Sequence, residues 1–134
     1  VKPADDSADG PPDQDAVILL VEDEAPVRAF ASRALRMRGF KVLEAASAEE
    51  ALELLQDPEI EVHVFVTDVV MPGLDGPSWV RKALENRPDV KVVFVSGYAQ
   101  ESFRDDQTSI PNSIFLPKPF SLVELTDTVQ RQLH

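Results

Sequence analysis

Three carboxylates and one ammonium group follow apolar segments of this chain. Glu22 and Asp23 come directly after the first apolar run, Asp68 comes after the third, and Lys118 lies just after the last. If these runs are parallel strands of an open α/β sheet, their carboxyl ends meet at one crevice, where ligands bind. We therefore expect the four side chains to share a single pocket.

Such a pocket needs something to offset the repulsion between its carboxylates. Two unit charges ~4 Å apart repel by about 4 kcal/mol at an effective dielectric constant of ~20, so three carboxylates need a metal ion or a proton among them. Oxygen ligands select a hard cation, and a site with few protein ligands and several waters suits Mg²⁺ better than Ca²⁺. Glu22, Asp23 and Asp68 are the candidate carboxylates of this magnesium site.

The same pocket could accept a phosphoryl group. Lys118 carries a compact positive charge that can bind phosphate, and Ser96, at the end of the fourth apolar run, adds a hydroxyl donor. A carboxylate beside a metal and a lysine can attack a phosphoryl group in line and form an acyl phosphate. Asp68 is the predicted nucleophile, because it ends the central strand and a glycine-containing loop follows it.

Strand and helix patterns alternate along the chain five times. Apolar runs typical of strands cover residues 16–21, 41–45, 62–67, 90–95 and 113–116. Apolar residues recur at helical spacing after the first run, and Gly39 ends that helix. Ser47-Ala-Glu-Glu50 and Ser121-Leu-Val-Glu124 are typical capping boxes, and Pro77 suits the first turn of a helix. The alternation predicts a doubly wound α/β fold, a parallel sheet with helices on both faces.

Two segments differ from this regular pattern. Residues 100–112 show little apolar periodicity, which predicts a short or irregular helix before the last strand. Residues 1–15 contain five aspartates and three prolines, and this composition is typical of a linker. The predicted domain therefore covers residues 16–134. Because the chain opens on Val1 and not on Met, we interpret it as a piece of a longer protein.

The composition excludes some classes of function. A chain of 134 residues is expected to form one domain with a real core. It has no apolar run long enough to span a bilayer and no visible secretory signal, so we expect a cytoplasmic domain without direct membrane contact. The absence of cysteine fits a reducing compartment. The net charge of −11 argues against a nucleic-acid partner, since Lys and Arg drive such binding.

Four motifs resemble one protein family. They are Val-Glu-Asp-Glu (21–24), Thr-Asp-Val-Val-Met-Pro-Gly-Leu-Asp-Gly (67–76), Val-Ser-Gly-Tyr-Ala (95–99) and Leu-Pro-Lys-Pro-Phe (116–120). In this order and spacing they resemble the receiver domains of two-component signalling, from about residue 16 to the C-terminus. Each motif alone is unspecific, but all four follow predicted strands.

The resemblance implies a fold and a set of roles. It implies a flavodoxin-like (βα)5 domain with strand order 2-1-3-4-5 and phosphorylation of Asp68 by a phosphohistidine donor. It also implies that Asp23, Asp68 and the backbone carbonyl of Val70 hold Mg²⁺, with Glu22 acting on this shell through water. Ser96 and Lys118 would bind the phosphoryl oxygens, and the Lys118–Pro119 bond would be cis, an isomer that is inexpensive only before proline.

One position departs from the family pattern. The aromatic switch residue, three positions before the lysine, is Phe115 and not the frequent Tyr. Phe115 has no hydroxyl for the hydrogen bond that often marks the active rotamer. A switch that pairs Ser96 with Phe115 would therefore have to work without that bond.

Three alternative classes of protein can be tested against the residues that each class requires. A phosphatase of the haloacid type needs a second aspartate two residues after the nucleophile, where this chain has Val70. A flavodoxin-like cofactor binder needs a Ser-, Thr- or Gly-rich phosphate loop after the first strand, where Glu22 and Asp23 would repel phosphate. A degenerate receiver would have lost part of the acidic set or the lysine. These comparisons favour a phosphoacceptor.

The motifs look most like the C-terminal receiver of a hybrid histidine kinase of the CckA type. The expected partners are then a histidine phosphotransferase and a histidine kinase domain, either in the same chain or in another protein. The alternative is a stand-alone, single-domain response regulator. Pro26, Val27 and Phe120 are the predicted partner surface. The alternative is that Val27 and Phe120 are core residues, and for Val27 the two interpretations have about equal weight. His63 and Trp79 are interpreted as packing side chains.

Overall fold

The computed structural model describes residues 16–97 and 110–133 of the chain. The strands of its sheet are β1 (Val17–Val21), β2 (Lys41–Ala45), β3 (Val64–Asp68), β4 (Lys91–Ser96) and β5 (Ser113–Pro117). The helices are α1 (Ala25–Arg38), α2 (Ala48–Leu54), α3 (Gly76–Asn86) and α4 (Leu122–Leu133). Within the described residues no helix has the length and apolar character needed to cross a membrane.

The five strands form one parallel sheet in the order β2-β1-β3-β4-β5, as the resemblance implied. Successive residues of each strand point to opposite faces, so the sheet has a core on each side. One core joins Leu19 and Val21 to α2 and α3, and the other joins Ile18 and Leu20 to α1 and α4. The doubly wound prediction is confirmed, and β3 lies in the middle of the sheet.

The helix boundaries follow the sequence signals closely. Gly39 ends α1 with φ 109°, a left-handed conformation that glycine adopts without steric cost. Ser121 and Glu124 exchange reciprocal hydrogen bonds of 2.8 and 3.0 Å at the start of α4. At α2 the Ser47 hydroxyl accepts from the Glu50 amide as predicted, but the Glu50 carboxylate reaches the amide of Ala46. This box is therefore shifted by one residue from the standard form.

Other sequence predictions have different outcomes. Pro77 lies in the first turn of α3, as expected, and Asp75 caps this helix by accepting from the Ser78 amide at 2.9 Å. Phe30 has helical spacing with the buried face of α1, but it is 44% exposed. The predicted linker, residues 1–15, and most of the predicted irregular helix, residues 100–109, lie outside the described residues.

Both ends of the described chain lie at the amino edge of the sheet, opposite the strand ends that carry the acidic residues. Ala16 precedes β1, and its carbonyl accepts from the amide of Lys41, the first residue of β2. Near the end of α4, the carbonyl of Gln132 accepts from the side chain of Lys91, the first residue of β4. His63 lies at this same edge, where its Nδ1 accepts from the Val17 amide at 2.9 Å. His63 thus has a structural contact, in line with its interpretation as a packing residue.

Candidate functional site

The predicted cluster assembles at the carboxyl edge of the sheet. Lys118 Nζ lies 3.0 Å from Asp68 Oδ2 and 3.4 Å from Glu22 Oε1. One carboxylate oxygen from each of Glu22, Asp23 and Asp68 falls within 4.8 Å of the others. Glu22 and Asp68 are buried, with 3% and 8% exposure, whereas Asp23 is exposed. The structure therefore brings together three carboxylates and an ammonium from three segments that are far apart in sequence.

The sheet topology explains this convergence. Asp68 is the last residue of β3, and Glu22 and Asp23 follow β1, the neighbouring strand. Lys118 follows β5, which is separated from β3 by β4, and its long side chain reaches back to Asp68. The Lys118 amide donates to the carbonyl of Ser96 at 2.9 Å, and the Lys118–Pro119 bond is cis, as expected.

Glu22 is held in an unfavourable electrostatic environment. Burial and the charge of Asp68 raise the pKa of Glu22 from 4.5 to about 7, against the smaller opposing effects of the Glu24 amide and Lys118. The Glu24 amide donates to Glu22 Oε2 at 3.2 Å. A nearby cation would favour the ionised form of this carboxyl group.

At Lys118 the nearby charges favour the ionised form and outweigh the effect of burial. Burial disfavours the charged ammonium, but the hydrogen bond to Asp68 and the charges of Asp68 and Glu22 outweigh this effect and raise the pKa of Lys118 above its usual value. The side chain therefore remains protonated at neutral pH. It provides a fixed positive charge beside the carboxylate of Asp68.

The donor set fits a hard divalent cation. All three clustered side chains offer carboxylate oxygens, which Mg²⁺ prefers, and the exposed position of Asp23 leaves the cluster open to water and to phosphate oxygens. Two buried carboxylates with a single nearby ammonium also leave negative charge to neutralise. The geometry is therefore compatible with the predicted magnesium site at Glu22, Asp23 and Asp68.

The remaining predicted site residues lie around this cluster. Ser96 is buried at the end of β4, next to β3. Val70, whose backbone carbonyl is a predicted metal ligand, follows β3 and is 50% exposed. Phe115 is half-buried, faces Phe94 across β4 and β5, and packs against the core on the α2 and α3 side. The switching role of Phe115 and Ser96, the phosphoryl-binding role of Ser96 and the metal-binding role of the Val70 carbonyl remain predictions.

Arg28 is a site neighbour that sequence reasoning missed. Its guanidinium donates to the backbone carbonyl of Glu22 at 2.7 Å and lies 3.9 Å from the carboxylate of Glu44. It thereby links α1 to the acidic segment after β1. The helical spacing of α1 gave no signal for this contact, because Arg28 bonds to a backbone atom of the segment that precedes the helix.

An apolar groove opens directly beside Lys118. It has a volume of about 310 Å³ and is lined by Pro26, Val27, Phe30, Lys118, Pro119 and Phe120. The rings of Phe30 and Phe120 lie 6.2 Å apart between centroids. The three residues predicted as a partner surface, Pro26, Val27 and Phe120, thus line one groove, and Phe30 is an additional member.

The fold and this cluster define a class of protein. The family model for the response regulator receiver domain matches residues 18–130. The chain therefore belongs to the receiver domain family of two-component signalling, as the four motifs indicated.

Individual relatives refine this assignment. The chain is 48% identical over 118 residues to the sensor kinase CckA of Brucella abortus, a match that covers 88% of this chain and 12% of that protein. It is 34% identical over 116 residues to the response regulator receiver protein CpdR of the same organism, with 87% of this chain and 95% of CpdR covered. The chain thus spans a small part of CckA and nearly the whole of CpdR.

Solved structures of receiver domains resemble this chain in fold. The receiver domain of a hybrid histidine kinase CckA has a TM-score of 0.76 and 39% identity, over 89% of this chain and 100% of that structure. A receiver protein from Sinorhizobium medicae has a TM-score of 0.80 and 31% identity, over 88% and 94%. The flavodoxin-like receiver fold is therefore confirmed, and the sequence is close to CckA receivers.

Proposed function

We propose that this domain is the phosphoacceptor of a His-Asp phosphorelay. Asp68 takes a phosphoryl group from a phosphohistidine and passes it to the histidine of a phosphotransferase. The observation that carries this proposal is the buried carboxylate of Asp68, 3.0 Å from Lys118 and clustered with Glu22 and Asp23. A cluster used only for structure would not need three carboxylates around one lysine.

The proposed reaction is an in-line transfer. A carboxylate oxygen of Asp68 attacks phosphorus, the P–N bond to the donor imidazole breaks, and its electron pair returns to the ring nitrogen. Lys118 neutralises charge on the transferring group, and the hydroxyl of Ser96 is proposed to donate to it. Mg²⁺ at Glu22, Asp23, Asp68 and the Val70 carbonyl would supply further neutralisation of the phosphoryl oxygens.

The second transfer reverses the bond changes. A histidine nitrogen of the phosphotransferase attacks the phosphorus of the acyl phosphate. The P–O bond to Asp68 then breaks, and the carboxylate is released with its electron pair. The ammonium of Lys118 stabilises this released charge, since it already contacts Asp68 Oδ2.

The parent protein is proposed to be a hybrid sensor histidine kinase. The 48% identity to Brucella CckA and the likeness to a CckA receiver structure support this reading. A stand-alone response regulator is the second candidate, because the chain covers 95% of CpdR at 34% identity. A kinase catalytic domain encoded before Val1 would decide for the hybrid protein, and an initiator Met directly before the acidic segment would decide against it.

The apolar groove beside Lys118 is the proposed docking site for these histidine-bearing partners. It places apolar side chains of α1 and of the loop after β5 next to the acidic cluster. A helix that presents a histidine near its apolar face could fill this groove and bring the ring to Asp68.

The acceptor chemistry can be tested by intact-mass spectrometry. The domain is incubated with acetyl phosphate, with and without Mg²⁺, in parallel with the Asp68→Asn variant. The proposal predicts one phosphoryl adduct that needs Mg²⁺ and is absent in the variant. An adduct that persists in Asp68→Asn would move the acceptor elsewhere. If folded wild-type protein took no phosphoryl group from acetyl phosphate and none from a phosphorylated histidine donor, the proposal would be wrong.

A further inference from the structure

Two hydrogen bonds connect the core to the backbone of Asp68. The indole Nε1–H of Trp79 donates to Thr67 Oγ1 at 3.0 Å, and the Thr67 hydroxyl donates to the Asp68 carbonyl oxygen at 2.9 Å. Trp79 and Thr67 are both completely buried. A buried polar group that loses its partner cannot form a replacement hydrogen bond with water. The two bonds therefore restrain the Trp79 indole, the Thr67 hydroxyl and the Asp68 carbonyl.

Helix α3 also contacts the same carbonyl directly. A Cβ atom at Gly76 would lie 2.3 Å from the Asp68 carbonyl oxygen, so α3 begins with no space for a side chain there. The Gly76 amide donates to the carbonyl of Val69 at 2.8 Å. The backbone at the end of β3 is therefore restrained both by the start of α3 and by the Thr67 hydroxyl.

We infer that Thr67 and Trp79 are positioning residues for the phosphoryl-accepting site. Trp79 holds the Thr67 hydroxyl, and the bond from this hydroxyl fixes the orientation of the Asp68 carbonyl. The directions of the Asp68 carboxylate and of the following backbone up to Val70 are fixed with it. Neither side chain touches the transferring group, because both act through the Asp68 peptide. For its consequence in phosphoryl transfer, the inference rests on the proposed function.

A purely structural role for these residues makes a different prediction. Trp79 packs against Phe65 with ring centroids 4.8 Å apart, so truncating the indole would lower stability in any case. The Thr67 hydroxyl is the sharper test. Thr67→Val removes the hydroxyl at nearly constant shape, whereas Thr67→Ser keeps the hydroxyl and removes a methyl group.

A matched control is available in α4. The buried hydroxyl of Thr128 also donates to a backbone carbonyl, that of Glu124, at 2.7 Å. Thr128→Val therefore makes the same chemical change at a helical site away from the β3 terminus. Wild type, Thr67→Val, Thr67→Ser and Thr128→Val are compared for Mg²⁺ affinity by calorimetry, for the rate of adduct formation with acetyl phosphate, and for the midpoint of thermal unfolding.

Thr67→Val is expected to weaken Mg²⁺ binding and to slow adduct formation by about three- to tenfold, the size of one lost hydrogen bond. Thr67→Ser should retain values close to wild type, and Thr128→Val should lose stability while both site readouts stay unchanged. If Thr67→Val loses stability but keeps wild-type Mg²⁺ affinity and rate, the residues have a structural role and the inference is wrong.

Failure of the proposed function would give a distinct result, since wild type itself would form no adduct or bind no Mg²⁺. Amide hydrogen exchange at Val69 and Gly76 then tests the positioning role directly. Faster exchange in Thr67→Val than in Thr128→Val supports it. Equal exchange in the two variants contradicts it.

Discussion

Glu22 is a carboxyl group whose protonation differs between the folded and unfolded chain. Its pKa is raised from 4.5 to about 7 by burial and by the charge of Asp68. The folded state therefore holds this proton more tightly than the unfolded state does. Stability contributed by the protonated group is present below pH 4.5 and is lost as the pH rises towards 7.

This linkage predicts a pH-dependent difference between wild type and Glu22→Gln in the presence of a chelator. The free energy of unfolding of wild type should fall relative to the variant as the pH rises from 4.5 to about 7, and the difference should then stay constant. Urea unfolding at several pH values measures it. A difference that does not change with pH would show that Glu22 titrates normally in the folded protein.

Lys118 should have opposite effects on two properties of the site. Its ammonium lies within 3.4 Å of both Glu22 and Asp68, so it competes electrostatically with a divalent cation. Lys118→Met is expected to tighten Mg²⁺ binding but to slow formation of the acyl phosphate by roughly a hundredfold, because a preorganised charge is lost from the transferring group. Calorimetry and intact-mass kinetics test the two effects.

Equal weakening of both properties in Lys118→Met would indicate a disrupted site. Lys91→Met, which alters a lysine at the opposite edge of the sheet, is the control for the loss of one positive charge.

At the scale of elements, α1 and the loop after β5 together form the groove beside the site. Phe120→Ala is predicted to slow transfer from a phosphohistidine partner by about tenfold, as expected for an aromatic residue at the centre of an interface. The rate with acetyl phosphate should not change. Val123→Ala is the control, because Val123 is 64% exposed but does not line the groove.

Parallel kinetics with a phosphorylated histidine partner and with acetyl phosphate separate the two possibilities for Phe120. A similar loss with both donors would mean that Phe120 supports the fold and not docking.

The start of α4 allows a simpler stability prediction. The Ser121 hydroxyl accepts from the Glu124 amide at 3.0 Å, and Ser121→Ala should lower the free energy of unfolding by about 1 kcal/mol. Chemical denaturation measures this loss, and Mg²⁺ affinity should remain unchanged. An unchanged unfolding curve would mean that water replaces this cap fully.

The sequence was sufficient to predict the strands, the caps at Gly39 and Ser121 and the convergence of Asp68 with Lys118, since these depend on local periodicity and on the parallel topology. It was insufficient for Phe30 and Arg28. Helical spacing gives the direction of a side chain around the helix axis. It does not show whether a neighbouring loop covers that side chain or leaves it exposed in a groove, as happens to Phe30. Trp79 was correctly interpreted as packing, yet its bond to Thr67 depends on how α3 sits over β3.

At the scale of the whole molecule, the acidic edge of the sheet and the two ends of the described residues, Ala16 and Leu133, are separated. The acidic cluster lies at the carboxyl ends of the strands, while Ala16 and the end of α4 lie at their amino ends. A polypeptide joined at either position would leave the domain on the side away from Asp68.

The domain can therefore be joined to another protein segment at the amino edge of its sheet without covering the acidic cluster. A tether that precedes Ala16 would leave the acidic edge and the adjacent groove open to partners. A folded fluorescent protein fused before Ala16 or after Leu133 should accordingly leave the rate of phosphorylation by acetyl phosphate unchanged. An insertion in the loop after β3 should abolish it.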